Sequence, residues 1–246
     1  MTLPNGSCPV CESADRTAYH AYNGMQFVRC VRCDLVYLDP MPTPKEIAAT
    51  YDGFVGTTDY FRKADKKIKR SRRRARRLKR YAQGNRYLDI GCNGGFMVEA
   101  ARQVGFEAAG MDLDPVSIAY AREHYGKNTY FQGTIEALAA VEAEAGRAFD
   151  VIYCSEVIEH VPEIHCFVAA LARLLKVGGI AQITTPDITH WRRPRNLEKW
   201  DAFCPPDHCL FFNPANIKQL LDAHGLRIFR RFHSWKPGIK VIARKV

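Results

Sequence analysis

No run of apolar residues in this 246-residue chain is long enough to cross a bilayer, which takes about 20 in succession. Its opening, MTLPNGSCPVC, lacks the basic stretch followed by an apolar one that marks a secretory leader, so a cytoplasmic location is expected. Internal repeats and low-complexity segments are absent apart from one basic run. Acids are the scarce class in that run: between Arg62 and Arg80 thirteen Lys or Arg stand against Asp65 alone. The formal net charge of +10 is therefore concentrated in one segment, and the remainder is close to neutral. Nine cysteines without an export signal point to thiols and metal ligands in a reducing compartment, and away from a disulfide framework. At 47% hydrophobic content the chain can hold one sizeable core and a small module.

What is present begins with two cysteine pairs, Cys8-Pro-Val-Cys11 and Cys30-Val-Arg-Cys33, separated by eighteen residues. This is zinc-ribbon spacing, in which two tight turns each supply two thiolates to a tetrahedral Zn²⁺. A redox couple is the alternative, but redox CxxC motifs come singly and beside a βαβ unit. Four thiolates leave the ion no open position, so the zinc is expected to be structural and remote from the chemistry. Thr43-Pro-Lys-Glu46 reads as a capping box that starts a short helix to about Tyr51, broken by Gly53 and Gly56. In the basic segment Phe61, Ala64, Ile68, Ser71, Ala75, Leu78 and Tyr81 recur at helical spacing, one narrow apolar stripe on a cationic cylinder.

From Arg86 onward strands and helices alternate. Strands are expected near 86–91, 107–112, 128–132, 149–154 and 178–185, with helices near 94–104, 115–125, 135–143 and 162–175. That alternation predicts a parallel sheet covered on both faces. An irregular stretch follows, then a helix started by Asn213 and Pro214, and strands near 226–233 and 238–244. The segment YLDIGCNGG, Tyr87 to Gly95, runs from a strand into a glycine-dense turn, and AAGMDLD places Asp112 about 20 residues further on. Such a turn lets backbone amides approach a ligand, and such an acid accepts from ribose hydroxyls. The turn has neither the Lys-Ser ending of a triphosphate cradle nor dinucleotide G-x-G-x-x-G spacing.

These residues resemble the class I methyltransferases that use S-adenosylmethionine (SAM). Asp89, Gly91 and Gly95 match their first motif, and Asp112 matches the acid that ends the second strand. Asn93 stands at the usual middle glycine, and Asn tolerates the left-handed conformation best after glycine. The resemblance implies a Rossmann-like α/β domain with a mostly parallel seven-stranded sheet. It implies that Asp89, Gly91, Cys92, Asn93, Gly95 and Ser155 belong to the cofactor site, with Asp112 on the ribose. Leu113 would lie by the adenine, with Thr134 and Ile135 on its other side; for Leu113 and Ile135 core packing is the alternative. The expected division is a zinc-ribbon module at 1–42, a helical linker with the basic helix at 43–82, and a SAM-binding domain at 83–246.

In SEVIEHVP, Glu156, Glu159 and His160 fall at i, i+3 and i+4. The run resembles the E-x-x-E-H of ubiquinone-pathway O-methyltransferases, which implies catalytic acids, a base and a candidate Mg²⁺ site. His208, in CPPDHCLFF, is the second candidate base, within aromatic surroundings suited to a substrate pocket. His190 and Trp191 are weaker candidates for that pocket, and Cys204 and Cys209 read as buried thiols. The basic helix is either a solvated cover or a docking surface for an anionic partner: RNA, an anionic membrane, or a phosphate-bearing or lipid-linked substrate. The functional expectation is O-methylation of a small molecule such as a sugar or glycan precursor. One alternative is an RNA methyltransferase, although the chain reads TTPD where base-modifying enzymes carry N/D-P-P-Y/F; the other is a non-catalytic SAM-binding module.

Overall fold

The computed structural model of the chain describes residues 6–43, 46–47, 61 and 63–246. Its larger sheet has seven strands: β4 (Arg86–Ile90), β5 (Glu107–Asp112), β6 (Thr129–Gln132), β7 (Phe149–Ser155), β8 (Leu175–Pro186), β10 (Leu226–Arg231) and β11 (Gly238–Lys245). They lie in the order β10-β11-β8-β7-β4-β5-β6, parallel from β8 to β6, with β11 and β10 antiparallel. Between them run α2 (Phe96–Arg102), α3 (Pro115–His124), α4 (Ile135–Glu144), α5 (Ile164–Leu174) and α6 (Pro214–Asp222). The expected elements are all there. β8 starts directly at the end of α5, earlier than expected, and Gly178 turns within it at φ 78°.

Caps explain several boundaries. Asp114 accepts from Val116 and Ser117 amides to start α3, and Thr134 accepts from Ala137 to start α4. Asn213 and Asn216 form a reciprocal box at α6, with Asn213 accepting two amides and Asn216 Oδ1 accepting the Asn213 N–H at 2.9 Å. Thr43 and Glu46 also reciprocate, the Thr43 amide donating to Glu46 and the Glu46 amide to the Thr43 hydroxyl. The helix expected from there to Tyr51, with Gly53 and Gly56, lies outside the described residues.

The basic helix, α1 (Ala64–Lys79), buries Ile68, Ser71, Ala75 and Leu78, the stripe read from the sequence. Ile68 packs against Phe96 and Ala100 of α2, so one cationic helix lies across a face of the main sheet. Among the described residues no helix is long and apolar enough to cross a membrane.

The cysteine-bearing segment folds into a small antiparallel sheet that the sequence did not announce: β1 (Arg16–Tyr22), β2 (Met25–Cys30) and β3 (Val36–Leu38). Its fourth strand comes from far along the chain. β9 (Leu210–Phe211), inside the stretch read as irregular, pairs with β3 through Val36–Phe211 and Tyr37–Leu210. Phe27, Tyr37, Phe211 and Phe212 are all almost fully buried in the core that also holds Ile152, Ile183 and Val241 of the main sheet.

Candidate functional site

Parallel α/β sheets bind ligands beyond the carboxyl ends of their strands, where β4 and β5 here end in tight turns. Gly91, Asn93 and Gly95 have φ of 71°, 46° and 76°, so Asn93 adopts the left-handed conformation required of it. A Cβ on Gly91 would stand 2.5 Å from Val157 Cγ2, and one on Gly95 would stand 2.7 Å from the Tyr130 hydroxyl. The Asp112 carboxylate closes the turn, accepting the Asn93 N–H at 2.7 Å and the Asp114 N–H at 3.0 Å. Burial raises the Asp112 pKa against the pull of these amides, and burial also holds Asp89, with the Asp112 charge beside it, well above the usual carboxylate range.

The other candidates of this half divide by exposure. Leu113 is 49% exposed beside Asp112 and open to a ligand. Ile135 belongs to the apolar core, Thr134 caps α4, and Ser155 is half-buried at the end of β7. Cys92 is buried against Gly110 and Val98, its sulfur turned into the core. A glycine cradle with no room for side chains, beside a fixed carboxylate and an exposed apolar surface, fits a nucleoside with a charged amino-acid tail.

One strand over, β7 leads into Glu156, at φ 55°, and then a 3-10 turn at Ile158–His160. Because of that backbone the three residues do not share a helical face. Glu159 is fully buried and accepts from the Thr185 hydroxyl at 2.9 Å, whereas Glu156 is exposed. Burial, with Glu156 adding to it, pushes the Glu159 carboxyl well above the usual carboxylate range.

His208 arrives from the other side. One ligand atom each of Glu159, His160 and His208 lie within 4.8 Å of one another, and the two imidazoles meet edge to face at 4.4 Å. His208 Nδ1 lies 2.8 Å from the Ala202 carbonyl, which can only accept. The proton is therefore on Nδ1, and Nε2 carries a lone pair. Burial first, then the neighbouring His160, holds His208 down at about 4, and burial lowers His160 as well. The arrangement is a buried carboxyl beside two imidazoles, of which His208 presents the lone pair of Nε2, able to take a proton from a hydroxyl group.

Comparison with known proteins shows the family of the chain that carries these two clusters. Residues 60–230 match the family model described as a methyltransferase domain. The chain belongs to this methyltransferase family. It is 29% identical over 148 residues to a ubiquinone biosynthesis O-methyltransferase of Bartonella quintana, covering 57% of this chain and 60% of the relative. A ubiquinone biosynthesis O-methyltransferase of Vibrio cholerae serotype O1 is 39% identical over 162 residues, covering 58% and 62%. The chain thus spans about three fifths of the length of these curated relatives. Magnesium protoporphyrin IX methyltransferase from Synechocystis PCC 6803, solved with bound SAH, matches with TM-score 0.60 at 18% identity over 82% of this chain and all of that one. That likeness establishes the Rossmann-like class I methyltransferase fold.

This methyltransferase also carries the cysteine cluster. Cys8 and Cys33 sulfurs lie 3.5 Å apart, Cys11 and Cys30 sulfurs 3.4 Å, and all four within 4.8 Å of one another. A disulfide needs about 2.05 Å, whereas thiolates about 2.3 Å from a tetrahedral zinc stand about 3.8 Å apart. The donor set and the spacing fit Zn²⁺. The hydrogen bond between Cys33 and Cys8 pulls the Cys8 thiol down to about 5 and pushes Cys33 up, as in a pair of thiols sharing one proton.

Sequence reasoning missed three supporting residues. Thr185 fixes Glu159, and its only signal was its place at the carboxyl end of a strand. Asn213 and Asn216 were visible as helix caps, but their side-chain amides also donate to the Cys33 carbonyl, each at 3.3 Å. His190 donates from Nε2 to the Ser234 carbonyl and accepts the Arg192 amide at Nδ1, so both ring nitrogens are engaged. Trp191 is exposed beside it, Cys209 is buried and Cys204 exposed.

Proposed function

We propose that the chain methylates a hydroxyl oxygen of a small molecule, a sugar or glycan precursor, with SAM as donor. When bound, SAM supplies an electrophilic methyl on a sulfonium. The chain's own residues do the rest. Gly91, Asn93 and Gly95 form the cradle for the methionine part, Asp112 takes the ribose hydroxyls and Leu113 flanks the adenine. As the acceptor oxygen gains the methyl it loses its proton, and His208 Nε2, a neutral lone pair beside His160 and Glu159, receives it. Held-in-line geometry of this kind contributes several kcal/mol, up to about 10.

The single observation that carries this reading is the Asp112 carboxylate locked to the Asn93 and Asp114 amides beside the Gly91–Gly95 turn. Oxygen as the accepting atom is supported by the relatives, which are O-methyltransferases. Mg²⁺ does not fit the site expected at Glu156, Glu159 and His160, because Glu159 and His160 gather with His208 instead, and two imidazoles make a nitrogen-rich set, unlike the oxygen shell that Mg²⁺ demands. In this reading residues 1–42 hold structural zinc, 43–82 connect, and 83–246 bind the donor and act on the acceptor. Asp112→Ala is expected to abolish SAM binding in calorimetry while thermal unfolding stays cooperative. Binding at wild-type affinity would refute the assignment.

A further inference from the structure

The main sheet has a second polar patch, on the face opposite the one from which Thr185 reaches Glu159. On the face that α1 covers, Gln182 of β8 is fully buried, and its Oε1 accepts from an Arg77 guanidinium nitrogen at 3.2 Å. Gln182 Nε2 and Thr184 Oγ1, two residues further along the same face, are buried with no partner among the described residues. Lys240 pairs with Thr184 across the β11–β8 ladder, and Ser155 pairs with Thr184 on the other side. Burial first, and then the charges of Arg77, Arg74 and Arg70 on one helical face of α1, bring the Lys240 ammonium down to about 8. None of these four cations forms an ion pair with a described carboxylate.

Four converging cations and two unsatisfied polar groups are costly to keep without an anion. Arg77 is committed to Gln182 and stacked on the Phe232 ring at 4.3 Å, which fixes its orientation. Lys240 and Phe232 also border an open cleft of about 200 Å³, through which a small molecule can reach the patch. The Asp187 carboxylate in that cleft is already engaged by the Thr189 amide and hydroxyl.

Position separates this patch from the donor site. Thr184 on β8 is two strands from β4 and Lys240 on β11 is three, so at about 4.8 Å per strand they lie about 10 and 14 Å from the Gly91 turn. We propose that Arg70, Arg74, Arg77 and Lys240, with Thr184 and Gln182, seat a phosphoryl or diphosphoryl group carried by the methyl acceptor. This rests on the methyltransferase reading and adds the acceptor's class: a phosphorylated small molecule whose reacting hydroxyl is about 10 Å from its charged group. The inner face of the basic helix is then part of the substrate site through the half-buried Arg74 and Arg77, with the exposed Arg70 at its rim, while Arg73 and Arg76, both exposed, face solvent.

The test is calorimetric titration of inorganic pyrophosphate into the SAM-saturated protein. The variants are R74Q/K240Q on the inner face and R73Q/R76Q on the outer face, which remove equal charge. Pyrophosphate is expected to bind the wild type and the outer-face variant alike, and to bind the inner-face variant on the order of tenfold or more weakly. SAM affinity of each protein is read separately, and thermal unfolding confirms that each is folded. Absence of pyrophosphate binding by a wild type that binds SAM overturns the anion seat and leaves the donor reading standing. Failure of the wild type to bind SAM overturns the donor reading instead. Equal loss by both variants, or salt-sensitive binding of an RNA oligonucleotide weakened equally by both, overturns the seat in favour of a diffuse cationic surface. Loss of SAM affinity in R74Q/K240Q alone, without pyrophosphate binding to the wild type, assigns the cations to the donor and also overturns it. Displacement of pyrophosphate by a nucleoside diphosphate sugar supports the seat with a soluble acceptor. Displacement by vesicles of an anionic phospholipid supports it with a lipid-linked one.

Discussion

Replacing Gly91 with alanine tests how tightly the donor turn is coupled to the acceptor turn. The new methyl would sit 2.5 Å from Val157 Cγ2, at a residue whose φ is 71°. The left-handed backbone alone costs about 1–2 kcal/mol for a residue with a Cβ. Displacing the stiff, β-branched Val157 adds about 1–3 kcal/mol. The expected destabilisation of Gly91→Ala is thus about 2–5 kcal/mol, read from urea unfolding with the slope unchanged. A second substitution, Val157→Ala, removes the obstacle but leaves the backbone cost, so the double variant should recover the steric part only. SAM affinity should fall in Gly91→Ala and recover in part with it. Because Val157 directly precedes the Ile158–His160 turn, methyl transfer should fall further than SAM affinity does. A Gly91→Ala protein within about 0.5 kcal/mol of wild type, or a double variant that recovers nothing, would refute the reasoning.

His208 should make stability pH-dependent in a defined direction. Its folded pKa of about 4 lies below the ordinary 6.5, so the unfolded chain takes up a proton first and stability is lost as pH falls from 6.5 to 4, then levels off. The full loss from His208 is about 3 kcal/mol, and comparing unfolding of wild type and His208→Asn across that range should show the wild type losing more stability than the variant by about this amount. Elemental analysis should find one zinc per chain in protein purified without added metal. Stripping it with a chelator should leave SAM affinity within about twofold but lower methyl transfer by tenfold or more, whereas equal loss of both would contradict separate supports for the two halves.

Much of this was legible in the sequence because it is local. The strand–helix alternation from Arg86, the stripe on α1 and the caps at Thr43 and Asn213 each depend on neighbours a few residues away. Asn93 was readable for the same reason, since its side chain must suit its own backbone. Cys92 fits the donor motif by spacing, yet its sulfur faces Gly110, because the direction of a turn residue is set by what packs beneath it. The pairing of β9 with β3 joins segments more than 170 residues apart through a two-residue strand, too short for any period to register. His208 and His160 meet beside that pairing, where the Cys209 amide also donates to the Glu159 carbonyl. The inner and outer faces of the basic helix look alike in composition, and only the position of Lys240 on β11 distinguishes them.

The zinc module was expected to stand apart from the chemistry, but its hydrogen bonds lead into the acceptor side. The Leu38 amide of β3 donates to the Cys209 carbonyl, and the Cys209 amide donates to the Glu159 carbonyl, each at 3.0 Å. One residue before Cys209 stands His208. Beyond β9, Asn213 and Asn216 hold the Cys33 carbonyl at the second knuckle, so the segment carrying His208 is fastened to the module on both sides. A loop rich in proline and aromatics has no periodic structure to fix a histidine by itself, and here β3 supplies the missing edge. The donor turn has no such dependence, since Gly91 and Asp112 are set by β4 and β5 at the centre of the parallel sheet. On the proposed reading zinc therefore acts on catalysis through position: four thiolates order a small sheet, the sheet orders β9, and β9 places the histidine proposed as the base.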